Sequence, residues 1–168
     1  MGSAPEKARR ETNLRGNDNT HVRKEEKNMA SLDVPHLTVT WTIPQPTATV
    51  KVTGKINFST AETWLMDSAW VRNTVWFIFS IDIMGSPVGG TFTTRVANFI
   101  YKYMPTSGTT PYAVPYDYSA VLPISALNVN PAPGAIDKIY AKVRLVNIFT
   151  EIVKEKNSNE IDFNFGNP

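Results

Sequence analysis

The sequence predicts an all-β protein: an antiparallel sandwich of eight strands with one short helix and a disordered N-terminal arm. Three observations carry this. Thr, Val and Ile together number 45, against 7 Leu, and β-branched side chains suit a pleated surface better than a helix. There are 18 aromatic residues and 12 Pro, the mixture expected of short strands joined by turns. Several segments also alternate apolar and polar residues with period two. At 168 residues with no cysteine, the chain fits one domain with tails, and disulfide scaffolds, Cys-built zinc sites and thiol catalysis are excluded.

Residues 1–30 read as a flexible charged arm. They hold seven basic and five acidic residues, and beyond Ala only Met1, Leu14, Val22 and Met29 are apolar. So little burial cannot offset the entropy of ordering. No apolar run follows the start as it would in a secretory signal.

The sandwich domain is expected over residues 31–152. Residues 36–43 alternate strictly, with Leu37, Val39, Trp41 and Ile43 on one face, and Pro44 ends the run. Residues 47–58 alternate again through Ala48, Val50, Val52, Ile56 and Phe58. Ser59 and Glu62 have the spacing of a capping box, and Ala61, Trp64, Leu65 and Ala69 follow at helical spacing. A short helix is therefore expected over 60–71, with Trp64 inward. Residues 74–84 are almost continuously apolar, which suits a central strand covered on both faces. At this length the run is too short to cross a bilayer. A turn follows at Gly85–Gly90, then long strands over 91–104 and 136–149 and a shorter one over 119–127. The expected core is Val39, Trp41, Val50, Val52, Leu65, Val75, Phe77, Phe79, Val96, Val143 and Leu145. Residues 105–118, with Pro105, Pro111 and Pro115 and Tyr112, Tyr116 and Tyr118, read as a long functional loop. The tail, 153–168, carries Ile161, Phe163 and Phe165 in alternation, as an edge strand or as an arm seeking a partner.

No catalytic residues emerge, and no enzyme activity is expected. The two histidines, His21 and His36, lack an acidic neighbour at motif spacing, and no nucleophile elbow, phosphate loop or metalloprotease motif is present. Asp82, Asp117 and Asp137 are the residues that would converge on a calcium ion, but Asp serves turns so well that turn formation is the simpler reading. No cofactor and no metal are expected. The strongest electrostatic feature is the arm. Arg9, Arg10, Arg15, Arg23, Lys24 and Lys27 suit phosphate groups, yet a net charge of +2 on the arm binds a polyanion weakly unless many copies act together.

The order of elements is a polar arm with arginines, two alternating strands, a short helix, two long apolar strands, a Pro-rich crossover and a final long strand. This resembles the single jelly-roll coat proteins of small icosahedral plant RNA viruses, of bromovirus, tymovirus and satellite-virus type. The resemblance covers residues 1–150 and rests on architecture. It implies a jelly-roll wiring for the sandwich, self-assembly of many copies into a shell around RNA, and residence in a virion after assembly in the host cytoplasm, with no membrane partner. The arm departs from the pattern in carrying Glu6, Glu11, Asp18, Glu25 and Glu26 among its bases. Two other readings stand beside it: a carbohydrate- or ligand-binding sandwich using Tyr112, Tyr116 and Tyr118, and another viral or phage structural protein for movement or decoration.

Overall fold

The computed structural model describes residues 29–42, 45–67, 76–89, 93–103, 112–130, 132 and 135–164. All but the last two residues of the expected arm, and the four final residues of the tail, lie outside these. Among the described residues, nine strands and two short helices run in chain order as β1 (Ser31–Leu32), β2 (His36–Trp41), β3 (Thr47–Phe58), α1 (Thr60–Asp67), β4 (Phe77–Pro87), β5 (Thr94–Tyr103), β6 (Tyr112–Pro123), α2 (Ile124–Leu127), β7 (Asp137–Asn147), β8 (Val153–Asn157) and β9 (Ile161–Phe163).

All strand pairings are antiparallel, in two sheets. In the first, β3 lies at the centre. It pairs with β6 on one side over its whole length, and on the other with β2 and, further along, β1. In the second, the order is β5-β4-β7, and β7 pairs along its outer side with β8 and then β9. Counting β1 with β2 and β8 with β9, three ribbons face four. The period-two burial of β3, β4 and β7 turns one face of each inward, where Val50, Val52, Phe77, Ile81, Ile83, Val143 and Leu145 form the core. The sandwich predicted from alternation is therefore present.

Its wiring differs from a jelly roll in one respect. A jelly roll sets its first strand beside its last. Here the first ribbon pairs with the second and the last with the one before it. In the lettering of immunoglobulin-type sandwiches the sheets read A-B-E and C′-C-F-G. Alternation reports which side chains face inward and not which strand is the neighbour, so both wirings share one sequence pattern.

Several local expectations also change. The helix is built on the capping box: the Ser59 amide and hydroxyl donate to Glu62 Oε2 at 3.0 and 2.9 Å, and the Glu62 amide donates to Ser59 Oγ at 3.2 Å. But Glu62 and Thr63 are the buried residues, while Trp64 is 71% exposed. Among the described residues of the helix, the capped turn faces the sandwich while Ala61 and Trp64 of the apolar stripe face water. Trp41 is 41% exposed and Val39 and Val96 are half-buried, because β2 and β5 are edge strands covered from one side only. The Leu65 side chain and Val75 lie outside the described residues. β4 continues to Pro87, through the expected turn, and Val88 and Gly89 turn instead, with Gly89 at φ +74°. β4 is central within its sheet, but among the described residues no element covers its second face, where Ile78 and Met84 are half-buried. The 119–127 strand instead begins at Tyr112, inside the expected loop, and ends in the one-turn helix α2. The tail is an edge of the second sheet as far as Phe163, so the sandwich extends past 152.

The two flanks of the sandwich are built differently. On the flank of β2 and β9 the edges are broken and laced together. Pro35 lies between β1 and β2. Asn159 receives the Leu37 amide on Oδ1 at 2.8 Å and donates Nδ2 to the Leu37 carbonyl at 3.1 Å. Trp41 and Phe163 meet with ring centroids 4.4 Å apart. One side chain thus takes both backbone groups that Leu37 turns outward. On the opposite flank β6 runs unbroken while β5 carries a bulge opposite Ile83 and Met84, and the two are joined across the core by Phe99 and Tyr118 at 4.1 Å.

Candidate interaction surfaces

The residues that chemistry would need are dispersed. Asp82, on the outer face of the second sheet, accepts from Asn98 Nδ2 and lies 3.7 Å from Arg95. Asp117 is on the outer face of the first sheet, paired with Lys51 at 2.8 Å. Asp137 is buried where β7 begins and accepts the Val129 and Asn130 amides at 2.8 and 3.2 Å. The convergence on calcium considered from sequence is thus not formed. Among the described residues no group of three or more His, Cys, Asp or Glu is placed to hold a metal. His36 sits exposed on β2, beside Thr38, and His21 lies outside the described residues. A cleft bordered by Glu62, Phe77, Leu145 and Lys154 measures about 10 Å³, room for about one water and not for a ligand. Among the described residues no helix is long and apolar enough to cross a membrane.

The six arm residues proposed for nucleic acid, Arg9, Arg10, Arg15, Arg23, Lys24 and Lys27, all lie outside the described residues. Within the sandwich several cations of the outer faces are matched, beginning with Lys51 and Asp117. Lys138 meets Glu160 at 2.7 Å, and Lys142 and Arg144 share Glu155 at 3.0 and 2.6 Å. The hydrogen bond from Lys142, opposed by desolvation and aided by the neighbouring Arg144 charge, holds Glu155 below the usual carboxylate range. Such surface pairs are worth little in stability, but they cancel part of the charge a polyanion would need.

Of the tyrosines expected to line a ligand loop, Tyr116 and Tyr118 are strand residues turned inward, and the Tyr112 side chain lies outside the described residues. Tyr116 packs on Phe79 at 4.9 Å and Tyr118 on Phe99. Tyr116 crosses β3 at Gly54, where a Cβ would collide with its hydroxyl end. The sequence does carry the signal: Val114, Tyr116, Tyr118, Ala120 and Leu122 alternate with Pro115, Asp117, Ser119, Val121 and Pro123, and the prolines disguise the strand as a loop.

Burial, with the Asp33 charge adding to it, pushes the Tyr116 hydroxyl up to about 12. The neutral phenol is favoured in the folded state, whereas the unfolded chain ionises near pH 10. The resulting stabilisation is complete below about pH 10 and is lost as pH climbs toward 12. The hydroxyl has no hydrogen-bond partner among the described residues. Tyr116→Phe is therefore expected to be neutral or stabilising at pH 7 and to flatten the alkaline fall in stability, measured by urea unfolding at about pH 9 and pH 11.5.

Among the described residues two surfaces stand out for partners. One is the end of the sandwich that bears α1 and the β7–β8 turn. There Trp64 is exposed, and Phe149, 57% exposed, stacks edge-on with Trp76 at 4.8 Å. The turn is set by Asn147, whose side-chain oxygen accepts the Phe149 and Thr150 amides at 2.9 and 3.1 Å, with Glu151 at φ +57°. The other surface is the free edge of β6. Asn159 fixes Leu37 as outward-facing on β2, so Thr38 faces β3. Because Thr38 is opposite Lys51, and Lys51 opposite Ser119, the alternation along antiparallel strands turns Ser119 and every second residue of β6 away from β3. Pro115 and Pro123 belong to that outward set, where a missing N–H breaks no bond to β3. Asp117, Ser119 and Val121 lie between them with both backbone groups pointing outward. Among the described residues no strand covers this edge.

No protein-family model and no curated protein matches the chain. Solved structures share a distant likeness. A Bacteroides uniformis β-glucuronidase 2, bound covalently to cyclophellitol-6-carboxylate aziridine, is 14% identical with a TM-score of 0.35, over 78% of this chain and 13% of that one. A hypothetical protein from Pyrococcus horikoshii OT3 is 15% identical with a TM-score of 0.37, over 83% of this chain and 99% of that one. A second Bacteroides uniformis β-glucuronidase is 11% identical with a TM-score of 0.36, over 80% of this chain and 14% of that one. The chain thus spans a small fraction of the glucuronidases it resembles.

Proposed function

We propose that the chain is a non-catalytic structural protein that works by associating with further copies of itself. The observation that carries this reading is the β6 edge: twelve residues long, continuous, and flanked by charge only at Asp117. Proteins that remain single blunt such an edge with lysines, prolines, bulges or a covering segment. On the β2–β9 flank this chain breaks and laces its edges, whereas at β6 the outward Pro115 and Pro123 leave Asp117, Ser119 and Val121 between them with no lysine, no bulge and, among the described residues, no covering strand.

Within that reading, a coat protein around RNA is the specific form we put forward. The immunoglobulin-type strand order removes the jelly-roll wiring as an argument for it, so its support is the association edge together with the six basic residues of the arm, acting in many copies. Negative-stain electron microscopy and sedimentation of the purified full chain test both levels. Assemblies of many copies are expected, and replacing Arg9, Arg10, Arg15, Arg23, Lys24 and Lys27 by Ala should lower their RNA content without dissolving them. Small oligomers alone overturn the coat protein, and a monomer across pH, salt and concentration overturns self-association.

A second reading, a module that binds a different protein, is favoured by the aromatic end at Trp64, Trp76 and Phe149. It predicts a saturable partner and a monomer in isolation.

A further inference from the structure

We infer that two copies of the chain join through β6 itself, antiparallel and in one register, with Ser119 of each copy opposite Ser119 of the other. The inference rests on the self-association proposed above and specifies its contact.

The register follows from the prolines. A proline in an outward position offers no donor, and its ring occupies the space in which the partner's carbonyl would approach. Any residue set opposite it across a new ladder is pushed away. Pro115 and Pro123 are placed symmetrically about Ser119, four residues to either side. With Ser119 on the two-fold axis, each proline faces the other copy's proline, and the strands separate only there. Between them Asp117 faces the partner's Val121, Ser119 faces Ser119, and Val121 faces Asp117. Each is a pair in which both residues exchange N–H and C=O, giving six backbone hydrogen bonds. Moving the register by two residues in either direction sets a proline against Val121 or Asp117 and leaves two intact pairs. The symmetric register is thus the one that uses every outward donor between the prolines.

The side chains agree with it. On the outer face Asp117 meets Val121, not another carboxylate, and Val121, 65% exposed on an otherwise polar sheet, gains cover. On the inner face Tyr118 and Ala120 of one copy lie beside Ala120 and Tyr118 of the other. Both are half-buried in the single chain and lose the water along this flank. The other edges do not compete. β1–β2 is interrupted and bound by Asn159, β8 and β9 are parted at Ser158–Glu160, and β5 carries a bulge opposite Ile83 and Met84 with Arg95 beside it. A join at β6 makes one continuous sheet of six ribbons from the two copies.

The chain contains no cysteine, so a single introduced thiol reports the contact directly. Ser119→Cys places two sulfurs on the axis, with Cα atoms about 5.5 Å apart, within disulfide reach. Thr38→Cys, exposed on β2, stands five strand spacings from its counterpart, about 24 Å. Under mild oxidation Ser119→Cys is expected to cross-link to a dimer at least tenfold faster than Thr38→Cys. Ser119→Pro repeats the outward proline already tolerated at 115 and 123, so it preserves the β3 ladder while removing the central pair. It should weaken dimerisation at least tenfold by sedimentation. Val121→Asp, which opposes the partner's Asp117, should do the same by repulsion, and circular dichroism confirms that either variant is folded. Equal cross-linking of the two cysteine variants, or self-association undiminished in both substituted chains, overturns this contact and leaves self-association standing. A wild-type chain that is monomeric throughout overturns both.

Discussion

Phe77→Ala should remove about 3–5 kcal/mol of folding stability. Phe77 opens β4, is 1% exposed and packs against Phe58 with ring centroids 5.0 Å apart. It is held between Asn147 and Tyr103, its partners on β7 and β5, so no neighbour is free to collapse into the void. Truncating a buried Phe costs about 3–5 kcal/mol when the site cannot relax. A domain of this size has roughly 5–15 kcal/mol in total. Chemical denaturation should show the midpoint falling with the slope unchanged, the mark of lost stability and not of a changed unfolded state. Phe77→Leu, which keeps most of the volume, should lose much less. A Phe77→Ala midpoint within about 0.5 kcal/mol of wild type would mean that this end of the core is not packed as described.

Asp137→Ala is expected to rank second and to act by a different route. The carboxylate is 1% exposed and holds the connection between α2 and β7 by accepting two backbone amides. That connection carries the chain from one sheet to the other. Alanine leaves both donors without an acceptor, a loss of about 2–4 kcal/mol. Asp137→Asn keeps one oxygen in place and should recover part of the difference. Amide hydrogen exchange localises the effect: Val129 and Asn130 should lose protection first. If they exchange as in wild type, Asp137 is not the anchor.

The sequence displays what depends on local side-chain order. Alternation marks β2, β3 and β7, and the Ser59–Glu62 pair marks the start of α1 to the residue. It is silent on what depends on neighbours. Trp41 shares its strand face with Leu37, yet Leu37 is buried and Trp41 is not, because coverage depends on how far β9 extends across the flank. Trp64 has helical spacing but points to water, since the orientation of a two-turn helix is set by its buried cap. β6 is the instructive case. Its inward residues alternate as clearly as those of β7, but Pro115 and Pro123 mimic a loop until one knows that the strand has a free side, where proline is harmless. The β6 edge was hidden for the same reason: whether a strand is an edge is a property of the sheet.

The bond between Asn159 and Leu37 has a consequence for what the protein can build. A sandwich with two open flanks has a valence of two. Each added copy exposes a fresh edge, growth does not stop, and the product is a fibre. By occupying both outward backbone groups of Leu37, Asn159 caps one flank and lowers the valence of strand addition to one. Strand pairing then ends at a pair, and any larger particle must grow through faces, loop ends or terminal segments. Asn159 acts together with the breaks between β1 and β2 and between β8 and β9, so turning this terminating unit into a polymerising one takes more than a single substitution.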